Sequence, residues 1–291
     1  MSLLSNFKSL FKGSGRVAIS QRFELLKEAI SGTMSKFYMA RDRQNDAIVG
    51  LKVLDLEKTA ALEQRFRGLD KPAEGEIAMQ LVHPHIVKTI EHGVTTHGEQ
   101  FIVMEYLTGP GLNSMLVAKS PQLDGNRVTI LRQTAEALAE IHRLQFIHRD
   151  ICPRNIVVNR ACNEVKLIDF GLTVPDEPKF RQPGIRTGTP NYMAPEVVRR
   201  RPTSSLIDVF AFGVTAFEIC TNDVPWPRGT GIDAMKHGIT EPIDIRRLRP
   251  KINETLARAI HACLEPDTSK RLETMSRFIG LIKGLTHEDQ A

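Results

Sequence analysis

The sequence predicts an α+β chain: a strand-rich first part with one helix, followed by a mainly helical second part. Three observations carry this. Between about residues 22 and 106 the apolar residues fall in runs of strand length, notably Ala47–Leu54 and 101–104. From about residue 112 onward helical spacing takes over, and Val128, Leu131, Ala135, Leu138 and Ile141 form one apolar stripe. The stretch 206–220 is strongly apolar throughout, the pattern of a helix buried inside a larger body.

The elements follow in chain order. Leu3, Leu4, Phe7, Leu10 and Phe11 recur at helical spacing with Lys8 and Lys12 elsewhere, so residues 1–12 read as a short amphipathic helix. Gly13-Ser14-Gly15 then breaks it. Such a helix either packs on its own chain or docks peripherally on a membrane surface or a partner. Residues 47–54 read as strand, 74–82 as helix and 101–104 as strand. Phe146-Ile147 leads into a polar loop. The apolar runs 156–158 and 165–168 read as two short buried strands joined by the hairpin turn 159–164.

Composition narrows the class. Of 291 residues, 41% are hydrophobic and 25% charged, the balance of an ordinary globular protein with room for a sizeable core. No run of 18 apolar residues exists, so no transmembrane segment is expected. The N-terminus lacks the pattern of a secretory signal, and Met1-Ser2 lacks the glycine that myristoylation needs. Cys152, Cys162, Cys220 and Cys263 are scattered without a Cys-x-x-Cys pair, which suits a reducing, cytoplasmic setting and argues against a zinc site. The net charge of +5 would partly serve an anionic nucleotide. The basic clusters 199–201 and 246–249 read as solvated faces, because no aromatic residues interleave with them for base stacking; no nucleic-acid partner is expected.

The chemistry concentrates in His148-Arg149-Asp150-Ile151-Cys152-Pro153-Arg154-Asn155 and, fourteen residues on, Asp169-Phe170-Gly171. A carboxylate, an amide five residues later and a second carboxylate at this spacing suit phosphoryl transfer. Asp150 would take the proton of an attacking hydroxyl. Asn155 and Asp169 would hold the Mg²⁺ that bridges the phosphates of ATP, since carboxylate and amide oxygens suit a hard cation that keeps much of its water.

This motif set resembles that of the eukaryotic-type protein kinase family, in its serine/threonine-like form, and the resemblance runs over roughly residues 22 to 282. It implies a bilobal fold: a small β-rich N-lobe with one main helix over 17–107 and a larger, mainly helical C-lobe over 108–285. Residues 1–16 would be an N-terminal segment and 286–291 a polar tail. It implies that Lys52, in Val49-Gly50-Leu51-Lys52, contacts the nucleotide phosphates. Counting back from His83-Pro84-His85-Ile86-Val87 gives Glu74 as its carboxylate partner, with Glu76 the nearby alternative. Of the glycine-rich phosphate loop only Gly32 remains. Phe37 replaces a valine that packs on adenine, and Gly50 replaces an alanine, leaving the pocket slightly roomier. Met104 stands at the gatekeeper position, Glu105 and Leu107 offer backbone bonds to the adenine edge, and Val157 belongs to the same nucleotide side.

The activation segment would run from Asp169 to Ala194-Pro195-Glu196. Its Gly188-Thr189-Pro190 favours a serine or threonine acceptor, with Thr189 hydrogen-bonding near Asp150. Cys152 replaces the lysine that steadies the transferring phosphate, and Arg154 would substitute for it. Cys152 itself reads as a small gap-filler. Arg149 would receive an activation-segment phosphate, with Thr187 the favoured acceptor. Asp208 would brace the catalytic loop, and Glu196 with Arg271 would form a buried ion pair. The implied activity is transfer of the γ-phosphoryl of Mg-ATP to a protein hydroxyl. The alternatives are a pseudokinase binding module and a small-molecule phosphotransferase.

Overall fold

A computed structural model describes residues 15–29, 35–184, 186–227 and 241–289. The amphipathic segment 1–12 and Gly32 lie outside these residues. The chain divides into two compact units: one holds the residues up to Arg67 with Thr89–Tyr106, the other Gly68–Lys88 with Leu107 onward. The architecture is α+β, as expected. Residues 68–88, expected within the N-lobe, group with the second unit.

The first unit is built on an antiparallel sheet of β1 (Phe23–Ala29), β2 (Ser35–Asp42), β3 (Ala47–Leu54), β4 (Thr89–Val94) and β5 (Gln100–Glu105), in the order β1-β2-β3-β5-β4. Successive residues of β3 from Val49 to Lys52 are buried on both faces of the sheet, which is why the strand is apolar almost throughout, whereas a half-exposed strand alternates. One face carries the core: Phe23, Ala40, Val49, Leu51, Phe101 and Val103. Because side chains alternate along a strand, Gly50 and Lys52 point to the other face. The register sets Phe37 and Ile102 opposite Lys52, and Met39 and Met104 opposite Gly50. Gly50 does not leave the face roomier. A Cβ there would lie 2.8 Å from Phe37 Cζ and 3.0 Å from Met104 Cγ, so the phenyl ring already fills the space an alanine would need.

In the second unit the expected helix over 74–82 is only Glu74–Ala78. It closes in tight turns, with Gln80 N–H donating to Ile77 O and Leu81 N–H to Ala78 O, ahead of Pro84. The helix Arg127–Arg143 buries the predicted stripe together with Ile130, Thr134 and Ala137. Helix Leu206–Thr221 is buried from Ile207 to Cys220 and stops where Asn222 turns left-handed. Gly213 lets it approach helix Glu254–Cys263, since a Cβ there would come within 2.7 Å of Cys263 Cβ. Among the described residues no helix is long and apolar enough to cross a membrane.

The end of the chain is not a free polar tail as far as Asp289. Glu288 is fully buried, accepting from Gly125 N (2.9 Å), Arg127 (2.9 Å) and Arg249 (3.2 Å), while Asp289 pairs with Arg249. Polar residues dock here because two arginines supply the opposite charge. The 246–249 cluster is likewise neutralised in part, by Arg246 bonding Asp244 and Glu254.

Four short strands frame the catalytic loop: β6 (Phe146–Ile147) pairs with β9 (Val174–Pro175), and β7 (Ile156–Val158) with β8 (Val165–Leu167). The β7–β8 turn forms as read, with Asn159 Oδ1 accepting from Asn163 N and Glu164 N.

Candidate active site

The loop between β6 and β7 is held in a conformation that an isolated chain would avoid. Arg149 in this loop has φ 71°, as Asp169 beyond β8 has φ 69°, left-handed values that cost a non-glycine residue of the order of 1 kcal/mol or more. Asp208, on the buried helix, offsets this. Its Oδ1 accepts from Arg149 N (2.8 Å) and its Oδ2 from His148 N (2.7 Å), so the strained turn is fastened to the core through two backbone amides. His142 Nε2 lies 3.0 Å from the same Oδ2. Burial opposes ionisation of Asp208, but the hydrogen bonds from His142 and from the Arg149 amide prevail and hold its carboxyl below the usual range. His142 had no role in the sequence reading. Its only sequence signal is a polar residue one position after Ile141, where the apolar stripe ends.

His148 is fully buried, and burial lowers its pKa, so the ring is neutral. Its Nδ1 accepts from Asp150 N (3.2 Å), which places the proton on Nε2, and the ring meets Phe170 edge-on at 5.6 Å. The catalytic-loop backbone and the segment after β8 are thereby packed together.

Asp150 is held at both oxygens. Oδ1 accepts from Thr189 N and from Thr189 Oγ1, each at 2.8 Å. Oδ2 accepts from Asn155 Nδ2 (3.0 Å), and that same Nδ2 donates to the Asp150 carbonyl (2.7 Å). The Asn155 amide plane is fixed by these two bonds, which leaves its oxygen as an acceptor turned away from Asp150. Asn155 O accepts from Ile168 N (2.8 Å), and so anchors the chain that delivers Asp169. Asp169 is exposed, and its Oδ1 accepts from Gly171 N (3.1 Å). The structure therefore gathers Asp150, Asn155 and Asp169 in one unit, on neighbouring and mutually bonded segments.

Glu74 and Glu76 have separate surroundings. Glu74 is buried, with Oε1 3.4 Å from Phe170 N and Oε2 facing Gly171. Glu76 is exposed and caps its own helix by accepting from Ala73 N (2.9 Å).

The segment up to Glu196 folds back onto the catalytic loop at Gly188. This glycine has φ +119°, and a Cβ on it would come within 2.7 Å of Arg149 O. Only glycine permits that approach. Thr189 Oγ1, its proton committed to Asp150, accepts from Arg154 Nη2 (3.2 Å) and lies 3.7 Å from Cys152 Sγ. Cys152 is buried, and burial pushes its thiol up to about 11, so it is a protonated filler beneath Thr189. Arg149 Nε donates to Thr187 Oγ1 (3.1 Å), and Thr187 is itself buried. Glu196 meets Arg271 in a two-pronged pair at 2.7 and 3.0 Å. Tyr192 donates to Glu218, a contact the sequence gave no reason to expect.

Leu107 and Val157 lie in the second unit, both half-buried, and Val157 sits opposite Lys166 in the β7–β8 pair. Lys52, Phe37, Met104 and Glu105 belong to the sheet of the first unit. Lys52 is 8% exposed, buried for an ammonium that ordinarily seeks water.

The family model of the protein kinase domain matches residues 23–279. Among curated proteins, the chain is 32% identical over 273 residues to the serine/threonine-protein kinase pkn3 of Myxococcus xanthus, covering 88% of this chain and 48% of that protein. It is 29% identical over 260 residues to the serine/threonine-protein kinase PrkC of Bacillus subtilis, covering 88% and 39%. It is 34% identical over 208 residues to the Aurora kinase of Saccharomyces cerevisiae, covering 70% and 54%. The chain thus spans about half or less of the length of most of these relatives. With a match over nearly all of its length, and with the motif residues gathered as described, the chain belongs to the protein kinase domain family.

Proposed function

We propose that this chain is a protein serine/threonine kinase that transfers the γ-phosphoryl of Mg-ATP to a protein hydroxyl. The observation that carries the reading is the bonded set Thr189–Asp150–Asn155. Asp150 Oδ1 already accepts two bonds, whereas Oδ2 accepts one, so Oδ2 is the oxygen with capacity for the proton of an incoming hydroxyl. In the balanced step the hydroxyl oxygen bonds to the γ-phosphorus, the bond to the β-phosphate bridging oxygen breaks, ADP leaves, and the hydroxyl proton passes to Asp150.

The donor set fits a magnesium ion. The Asn155 amide oxygen and the exposed Asp169 carboxylate are hard oxygen ligands, and two protein ligands suit an ion that completes its shell with phosphate and water. That ion, when bound, would neutralise charge on the phosphates. Lys52, by the family likeness, is the cation for the nucleotide phosphates from the first unit, with Glu74 its carboxylate partner and Phe37, Met104, Glu105, Leu107 and Val157 on the adenine side. Arg154, held by Thr189, stands in for the lysine replaced by Cys152. The names of the relatives support a serine or threonine acceptor.

The test is labelled Mg-ATP supplied to the purified chain beside Asp150→Asn, with modified residues mapped by mass spectrometry. Label on serine or threonine in the wild type alone supports the proposal. Nucleotide binding without label, measured by a shift in Tm, would move the chain to a binding module.

A further inference from the structure

Arg154 is exposed, and of its five N–H donors only Nη2 has a partner among the described residues, the Thr189 hydroxyl. No carboxylate pairs with it there. The guanidinium donates to Thr189, whose hydroxyl donates in turn to Asp150 Oδ1, so its charge is two hydrogen bonds from the carboxylate proposed to receive the acceptor's proton. A peptide presenting a hydroxyl to Asp150 must carry its neighbouring side chains past this cation.

The segment beyond has the same sign. Between residues 178 and 207 stand Lys179, Arg181, Arg186, Arg199, Arg200 and Arg201 against a single carboxylate, Glu196, and Glu196 is consumed by Arg271. Lys179 and Arg181 are paired, with Glu177 and Asp176. Arg186, Arg200 and Arg201 are exposed, with no side-chain partner among the described residues. The bland account, cations favoured at the end of helix Pro195–Val198, covers Arg200 and Arg201 at most, because Arg154 and Arg186 are not on that helix.

From this we infer that the acceptor segment is acidic: the protein substrates carry Asp or Glu beside the phosphorylated serine or threonine, and Arg154 is the residue that selects them. The inference rests on the kinase reading and deepens it. An arginine-flanked acceptor would bring like charge against Arg154, and an acidic one gains an ion pair that the free chain leaves unmade. Exposed pairs are individually weak, but a segment whose unpaired charges share one sign adds a field that steers the encounter.

Three peptides differing only in the residues flanking one threonine (Asp/Glu, Gln/Ala, Arg/Lys) are compared by kcat/KM on the wild-type chain. The acidic peptide is expected to exceed the basic one by about tenfold at low salt, a gap that shrinks as ionic strength rises. Arg154→Gln, which can still donate to Thr189, is expected to cut the acidic-to-basic ratio several-fold, and Arg154→Glu to reverse it, whatever either does to the absolute rate. A phosphoserine-flanked peptide forms a fourth arm. If it is preferred while the Asp/Glu peptide is treated like the neutral one, the carboxylate assignment is wrong. Labelling that depends on Asp150 but ignores flanking charge, or a preference that survives Arg154→Glu, overturns the inference and leaves the kinase reading intact. Labelling equal in wild type and Asp150→Asn overturns both.

Discussion

Replacing Thr189 with alanine isolates one link in the candidate site. The substitution removes the 2.8 Å bond from Oγ1 to Asp150 Oδ1 and the acceptor of Arg154, while the Thr189 amide still donates to Oδ1. A hydrogen bond to a charged group contributes about 1.5–3 kcal/mol. If that energy serves to hold Asp150 for proton transfer, kcat should fall by roughly 10- to 150-fold at about 1.4 kcal/mol per decade. Thr189 is only half-buried, so the folded state should lose no more than about 1 kcal/mol. Serine keeps the hydroxyl, and Thr189→Ser should retain kcat within about threefold. The assay is steady-state phosphorylation of a threonine peptide, with Tm and the urea midpoint measured on each variant. A Thr189→Ala protein with kcat within about twofold of wild type, beside an inactive Asp150→Asn, would refute the reasoning, because Asp150 would then work without its hydroxyl support.

Other consequences follow from the packing. Arg271→Met strands the buried Glu196 carboxylate and should destabilise the chain by about 3–5 kcal/mol, whereas the double change with Glu196→Gln should recover part of that loss; a strictly additive double-mutant cycle in urea would show the pair uncoupled. Gly188→Ala forces a Cβ against Arg149 O in a left-handed turn, a strain of about 1–3 kcal/mol; it should displace Thr189 and lower kcat with little change in the far-UV spectrum, and unchanged kcat would count against the close approach. Burial pushes the Cys152 thiol to about 11 and the Cys220 thiol to about 12, from an ordinary value of 9.0. The folded chain then holds these protons to higher pH than the unfolded chain does, so their stabilisation is complete below pH 9 and is lost as pH rises through 11 and 12. The urea midpoint should decline over that window, less steeply in Cys152→Ala, and an identical slope in the variant would contradict the burial.

Sequence alone determined the class and the chemical inventory. Short apolar runs and helically spaced apolar stripes separated a sheet from helices, since buried strands are short and helices bury one face at their own repeat. The spacing of Asp150, Asn155 and Asp169 carried the expected chemistry, because a short loop and hairpin leave few ways to place them. Local pattern did not reach further. It favoured Glu74 over Glu76 only by counting back from His83-Pro84, and had no view of their surroundings, in which Glu74 is buried beside Phe170 and Gly171 while Glu76 caps its own helix. It set the helix end four residues late, and it left Gly50 with open space that the Phe37 ring fills. It treated the residues after 285 as a tail, although Glu288 is buried between Arg127 and Arg249, more than a hundred and sixty and about forty positions away. Tertiary structure decided these points, along with the His142–Asp208 bond and the placing of Arg154 on Thr189. Each depends on a partner distant in the chain, and the energy of a buried polar contact is fixed by that partner rather than by its own neighbours in sequence.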